Sequence, residues 1–176
     1  MPLRPISPYG VTKLAAEQLC RAYAEERDLP LVVLRYFSVY GPRQRPDMGY
    51  HQFIESLLCG WPITLFGDGK HRRGNTYVDD CVAATVLAIQ AAPGETFNVG
   101  GGEAIALIDV VRKLEALIGC RAVIDRKPPR LGDQQATLAD TNKLHRQLGW
   151  LPSVGIDEGL ARQVNWQKAH VLPVAA

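Results

Sequence analysis

The chain has 176 residues, 47% of them hydrophobic, with 20 lysines and arginines against 18 aspartates and glutamates and a formal net charge of +2. That is enough apolar chain for one domain or most of one, and the intermixed charges exclude a basic face for nucleic acid or a membrane surface. The four cysteines (Cys20, Cys59, Cys81 and Cys120) form no CxxC pair and the four histidines are equally dispersed, which argues against a disulfide framework or a zinc site.

Ser7 followed by Pro8 reads as a helix N-cap and first turn. Leu14, Ala15, Leu19, Ala22 and Tyr23 then recur at helical spacing, so a helix is expected from Tyr9 to about Arg27. After Asp28-Leu29-Pro30, the apolar run Leu31 to Tyr36 predicts a strand buried on both faces, as in a parallel sheet covered by helices. Phe37 to Gly49 is a long polar connection with Gly41-Pro42 and Arg45-Pro46, of a length that often carries function. A short helix at His51 to Cys59, a strand at Ile63 to Phe66 and a basic turn from Gly67 to Asn75 follow. Within that turn, Lys70-His71-Arg72-Arg73 is the densest basic cluster, suited to one small anion.

Val78-Asp79-Asp80 opens a helix expected to reach Ala91, the two carboxylates favouring its positive end rather than forming an acid–base pair. A strand at Thr96 to Val99, a helix at Ile105 to Ile118 and a strand at Ala122 to Ile124 complete the middle of the chain. Helices at Thr141 to Leu148 and Ile156 to about Lys168 precede a tail. Trp61, Trp150 and Trp166 read as packing residues. No apolar run reaches membrane-spanning length and the first residues lack a signal peptide's apolar core, so a soluble cytoplasmic α/β protein is expected.

The most informative pattern is Tyr9-Gly10-Val11-Thr12-Lys13. Residues four apart on a helix share a face, and a lysine ammonium beside a phenol favours the phenolate, a general base near neutral pH. Such a pair serves nicotinamide chemistry only beside a glycine-rich turn between a strand and a helix. Gly100 and Gly102 lack the third glycine, with Ile105 in its place; Gly67 and Gly69 lack it too, with Arg72 there. The chain therefore offers no pyrophosphate cradle of its own.

Together the motifs resemble the extended short-chain dehydrogenase/reductases acting on nucleotide sugars, the NAD-dependent epimerase/dehydratase family. The resemblance rests on Pro8-Tyr9-Gly10-Val11-Thr12-Lys13, on Leu34 to Arg43, on Phe66 to Lys70 with Arg73 and Tyr77 to Asp80, and on Arg130 to Asp133 with Ala139-Asp140 and Leu148-Gly149-Trp150. Gly41 to Met48 with Asp79 to Val82 looks most like the UDP-glucuronate and UDP-glucose 4-epimerase branch.

The resemblance implies an α/β fold: the C-terminal part of a Rossmann-like extended architecture, comprising the last sheet strands and a small mixed substrate lobe, with the dinucleotide-binding half missing. Residues 1–50 would be the Rossmann remnant, 51–170 mainly the substrate lobe and 171–176 a tail. It implies Tyr9 and Lys13 as catalytic residues, and Tyr9, Lys13 and Tyr36 as contacts to NAD. Ser38, Arg45, Arg73, Arg130 and Asp133 would contact a UDP-sugar, and no metal is implied. Tyr9 would take the proton of the sugar 4-hydroxyl while hydride leaves C4; the keto-sugar turns over and hydride returns to its other face. Full-length relatives are expected to be homodimers.

Alternatives are a nucleotide-sugar 4,6-dehydratase or reductase of the same superfamily, or a non-catalytic remnant that binds nucleotide sugar. Departures from the family pattern are Gly74-Asn75 where Asp-Phe is usual and Ser38 where asparagine or threonine is usual. Met1 to Pro5 reads like the middle of a longer segment. A chain without its cofactor half is expected to be inactive or nearly so and prone to self-association.

Overall fold

In the computed structural model, which describes residues 3–101, 104–129 and 135–170, helix α1 (Pro8–Arg27) is capped as its sequence requires. The Ser7 hydroxyl accepts from the Gly10 amide, and the helix stops at Asp28 in the left-handed region with φ of 51°. None of its residues is buried.

There follow β1 (Val33–Tyr36), β2 (Val39–Tyr40), α2 (Gly49–Cys59), β3 (Ile63–Phe66), β4 (Arg72–Gly74), β5 (Thr76–Tyr77) and α3 (Val78–Leu87), which runs into a tight helical turn at Ala88–Gln90. Then come β6 (Thr96–Val99), β7 (Ala104–Ala106), α4 (Leu107–Ile118), β8 (Ile124–Lys127), β9 (Ala136–Thr137), α5 (Asn142–Leu148) and α6 (Ile156–His170).

Parallel pairing dominates, as helical crossovers require. β1 lies beside β6 with Val33 opposite Thr96 and Tyr36 opposite Val99. β2 lies beside β5, and β3 beside β8 with Ile63 opposite Ile124. β4 is the centre of a small mixed sheet between antiparallel β7 and parallel β9.

Two apolar clusters hold these layers. Phe97 and Val99 of β6 pack with Cys81 and Ala84 of α3, Leu144 of α5 and Trp150. A larger cluster joins Ile54 and Leu57 of α2, Ile63 and Leu65 of β3, Val110, Val111 and Leu114 of α4, and Leu160 and Val164 of α6. Ile54, Leu114 and Leu160 are fully buried, each contributing about 1.5–3 kcal/mol relative to an exposed position. Burial in the first cluster pushes the Cys81 thiol up to about 11, so it packs as a small apolar side chain.

Several expectations change. The strand predicted over Leu31 to Tyr36 forms only from Val33, and it is half-buried to exposed rather than buried on both faces. Among the described residues its only strand partner is β6, which leaves one edge without a neighbouring strand. The Gly67 to Asn75 turn contains β4, the helix expected from Ile105 begins at Leu107 after β7, and the strand expected at Ala122 forms at Ile124–Lys127. Of the tryptophans read as core or interface packing, Trp150 is buried, Trp166 stacks on His170, and Trp61 at 54% exposed retains only the interface alternative.

Gly159 is fixed by packing. A Cβ there would lie 2.7 Å from two carbons of the Tyr40 ring. Gly159→Ala is expected to lower the urea stability of the chain by about 1–3 kcal/mol, the cost of overpacking, while Gly155→Ala, where a Cβ meets nothing within 4 Å, has a smaller effect.

The bare face of α1, with Val11, Leu19 and Tyr23 each more than half exposed, and the uncovered edge of β1 favour association. Light scattering is expected to find oligomers of the purified chain. A stable monodisperse monomer would contradict this.

Candidate active site

Tyr9, Lys13, Glu17 and Arg21 succeed one another at four-residue steps, so they form one stripe along α1. At its lower end the stripe is moored to the sheet. Arg35 of β1 donates to Glu17 in a bidentate pair, Nε to Oε2 at 2.8 Å and Nη2 to Oε1 at 2.8 Å. Arg21 also donates to Glu17 Oε1, at 3.1 Å, and to the hydroxyl of Thr96 on β6. The hydrogen bond from Arg35 holds the Glu17 carboxyl below its ordinary range, against the opposing effect of burial.

At the upper end, Lys13 Nζ lies 5.4 Å from the centroid of the Tyr9 ring, a cation–π arrangement. Tyr9 itself is 72% exposed. It stands where two clefts meet. One, of about 780 Å³, runs between α1 and β1 past Lys13, Glu17 and Arg35. The other, of about 610 Å³, is walled by Ser38, Gly41, Arg43, Arg45 and Thr137. Tyr9 and Tyr36 line both, and the Tyr36 hydroxyl is within 2.7 Å of Thr85 Oγ1 on α3.

The structure thus gathers Tyr9, Tyr36, Ser38 and Arg45 around one cleft, with Lys13 one helical turn behind Tyr9. Arg45 Nη2 lies 3.0 Å from Asp47 Oδ2 in an exposed ion pair. Arg73 does not line either cleft. It sits on β4 opposite Thr137, a wall residue of the second cleft, at one remove from the opening. Arg130 and Asp133 lie outside the described residues.

Asp79 and Asp80 divide their roles. Asp79 pairs with Arg162 at 3.4 Å. Asp80 is buried and accepts from the Ser153 amide and hydroxyl at 2.9 and 2.8 Å and from the Val154 amide at 3.2 Å. It is a joint between α3 and the segment leading into α6, distant in role from any acid–base pair.

Arg43 and Gln44 also line the cleft; the sequence placed them in the loop that carries the resemblance but gave neither a role of its own. Arg43 adopts φ of 65°, a left-handed conformation that an arginine's identity does not signal. The Pro42 before it and the Gly41 with φ of 135° are the only local hints.

The site thus joins a helix bearing a tyrosine–lysine stripe, a parallel strand pair and a cleft rimmed by arginines, all within an α/β fold. Comparison with known proteins gives the family. The model of the NAD dependent epimerase/dehydratase family matches residues 1–100, and the chain belongs to that family.

The chain is 41% identical over 165 residues to an uncharacterised UDP-glucose epimerase, YtcB, of Bacillus subtilis, covering 92% of this chain and 52% of that protein. It is 39% identical over 168 residues to the UDP-glucuronate 4-epimerase of Thermodesulfobacterium geofontis, covering 95% and 52%. The crystal structure of UDP-glucuronic acid 4-epimerase from Bacillus cereus with UDP-glucuronic acid and NAD superposes with a TM-score of 0.91 at 41% identity, covering 96% of this chain and 55% of that one. The chain therefore spans about half the length of the relatives it matches.

The mooring of α1 has a pH signature. Because the folded-state carboxyl of Glu17 titrates below its unfolded value of 4.5, its stabilisation is full above that value and is lost as pH falls through the folded one. Glu17→Gln is expected to cost about 1 kcal/mol at pH 7. It is also expected to flatten the fall in thermal midpoint between about pH 5 and pH 3, as followed by circular dichroism.

Proposed function

We propose that this chain is the C-terminal, substrate-binding part of an NAD-dependent UDP-sugar 4-epimerase of the UDP-glucuronate or UDP-glucose type. The observation that carries the proposal is Tyr9 at the meeting point of two clefts, with the Lys13 ammonium on its ring. In this reading Tyr9 takes the proton from the sugar 4-hydroxyl and returns it. Lys13 stabilises the phenolate electrostatically and bonds the nicotinamide ribose. NAD, when bound, accepts hydride from C4 and gives it back to the other face of the keto-sugar.

The described residues fit only one end of that cofactor. Tyr9, Lys13 and Tyr36 face a common edge. Gly100 and Gly101, however, lead from β6 towards a strand, β7, rather than into a helix, so they do not make the amide cradle a pyrophosphate needs. The cleft between α1 and β1 suits a further sheet strand beside β1 and belongs, in this proposal, to the other half of the enzyme. By itself the chain binds nucleotide sugar without turnover. The complete enzyme is proposed to work as a cytoplasmic homodimer, and no described helix is long and apolar enough to cross a membrane.

The second cleft is assigned to the sugar. Arg45 already holds a carboxylate there, that of Asp47, in an exposed pair of the kind worth at most about 1 kcal/mol. Exchange for a uronate carboxylate therefore costs little and gains a bidentate contact. Ser38 is proposed to bond the sugar. Arg73, Arg130 and Asp133 are proposed to hold the nucleotide diphosphate and uridine.

Two experiments test this. Calorimetry of the chain with UDP-glucuronate is expected to show binding that Arg73→Ala weakens by about tenfold, the value of one charge-assisted hydrogen bond. Supplying the dinucleotide-binding half of the B. cereus relative, with NAD, is expected to restore interconversion of UDP-sugars, which Tyr9→Phe abolishes. Full activity in the phenylalanine variant would remove Tyr9 from its role. Binding with no turnover in the supplemented sample would favour a non-catalytic binding remnant.

A further inference from the structure

Gln163 and Gln167 of α6 are both 0% exposed, and the proposed reaction uses neither. They follow Gly159 on one stripe of the helix, at four-residue steps, where Tyr40 packs against the missing side chain. A buried amide is costly unless its donors and acceptors are met, and the Gln163 amide is met by the arch that rims the second cleft. Gln163 Oε1 accepts from the Gly41 amide at 2.9 Å, and its Nε2 donates to Gln44 Oε1 at 2.9 Å.

Gln44 is held in turn. Its Nε2 donates to the Val39 carbonyl at 2.8 Å, and its Oε1 also accepts from the His51 amide at 3.0 Å. His51 Nδ1 lies 2.9 Å from the Gln44 carbonyl. Gln167 lies at the edge of the relay: its Oε1 accepts a long bond from Gln163 Nε2 at 3.4 Å, and its Nε2 donates to the His51 carbonyl at 3.1 Å.

The arch needs such a clamp. Gly41 has φ of 135° and Arg43 φ of 65°, and a non-glycine residue keeps a left-handed conformation only when its surroundings over-determine it. With Arg43 turned this way, both Arg43 and Arg45 line the cleft. Bidentate arginine contacts are steep functions of orientation.

We propose that Gln163 is a positioning residue. Through the amide relay from Gly41 to Gln163 to Gln44, the last helix fixes the arch that presents Arg43 and Arg45, and so sets the preference for a sugar bearing a carboxylate. The preference rests on the reading of this cleft as a UDP-sugar site; the clamping of the arch does not.

The test uses Gln163→Met, which keeps length and loses the relay, beside Gln167→Met, which removes a comparable buried amide and its long 3.4 Å bond from Gln163 but leaves the Gln163 bonds to Gly41 and Gln44 in place. Should the methionine variant fail to fold, Gln163→Asn, one methylene too short to span the relay, takes its place. In the Gln163 variant, amide exchange over residues 41–45 is expected to quicken at least about tenfold beyond that in the Gln167 variant. The ratio of UDP-glucuronate to UDP-glucose affinity is expected to fall about tenfold, with affinity for UDP unchanged. Equal exchange in the two variants overturns the clamp, and a loosened arch with an unaltered sugar preference overturns its role in recognition. If the unsubstituted chain does not prefer UDP-glucuronate, the uronate reading of the cleft falls with the preference drawn from it, and the exchange comparison still decides the clamp.

Discussion

Helix α1 carries the proposed base but buries none of its residues. Its attachment to the sheet therefore cannot be a matter of apolar packing alone. Among the described residues, the side-chain hydrogen bonds that leave α1 for the sheet pass through Glu17 and Arg21, to Arg35 and Thr96. The bidentate Glu17–Arg35 pair sits two helical turns from Tyr9 on the same stripe, so it fixes the rotation of the helix about its axis. The same rotation puts Tyr9 and Lys13 at the clefts, with Tyr9 still largely exposed. Geometry at the site is thus set by a carboxylate that takes no part in the proposed chemistry.

The rest of the molecule repeats this economy with other polar joints. Asp80 ties the start of α3 to the segment before α6 through three hydrogen bonds, and Trp150 adds a bond from its Nε1 to the Asp80 carbonyl at 3.0 Å. Tyr40, Tyr50 and Tyr77 meet edge to face beneath the cleft, with centroids 5.5 and 5.6 Å apart. Burial raises the Tyr40 and Tyr50 phenols well above their ordinary value, so these tyrosines remain neutral supports at any physiological pH. The apolar clusters supply most of the stability; the polar joints decide how the elements are turned relative to one another.

What the sequence revealed follows from range. Elements with a long period or a local stop signal were legible: α1 from its Ser7-Pro8 cap, β3 and β6 from short β-branched and aromatic runs, α4 from its apolar stripe. Two-residue strands such as Val39–Tyr40, Thr76–Tyr77 and Ala136–Thr137 are too short to carry any period. They exist because a distant partner is held alongside. The same holds at the cleft. The spacing of Tyr9 and Lys13 is local and readable, whereas the glutamine at position 163 reads as an ordinary polar residue on an amphipathic helix until the Gly41 amide is found against it. Long-range hydrogen bonds between side chain and backbone leave no mark in a single sequence.

That distinction bears on how the two ends of the site relate. The proposed base sits on a helix held by charge and open on one face, beside Tyr36 at the C-terminal end of β1. The arginine rim sits on an arch locked from behind by α6, which belongs to the larger apolar cluster. The second assembly makes its clamping hydrogen bonds within this chain, through Gly41, Gln44 and Gln163. The first keeps an uncovered strand edge and an unburied helix, surfaces of the kind that protein interiors normally cover. Whatever covers them bears on Tyr9 and Lys13 far more than on Arg43 and Arg45. The asymmetry implies that the proposed recognition of the sugar and the proposed proton transfer are separable, the first resting on contacts within this chain and the second on what lies against α1.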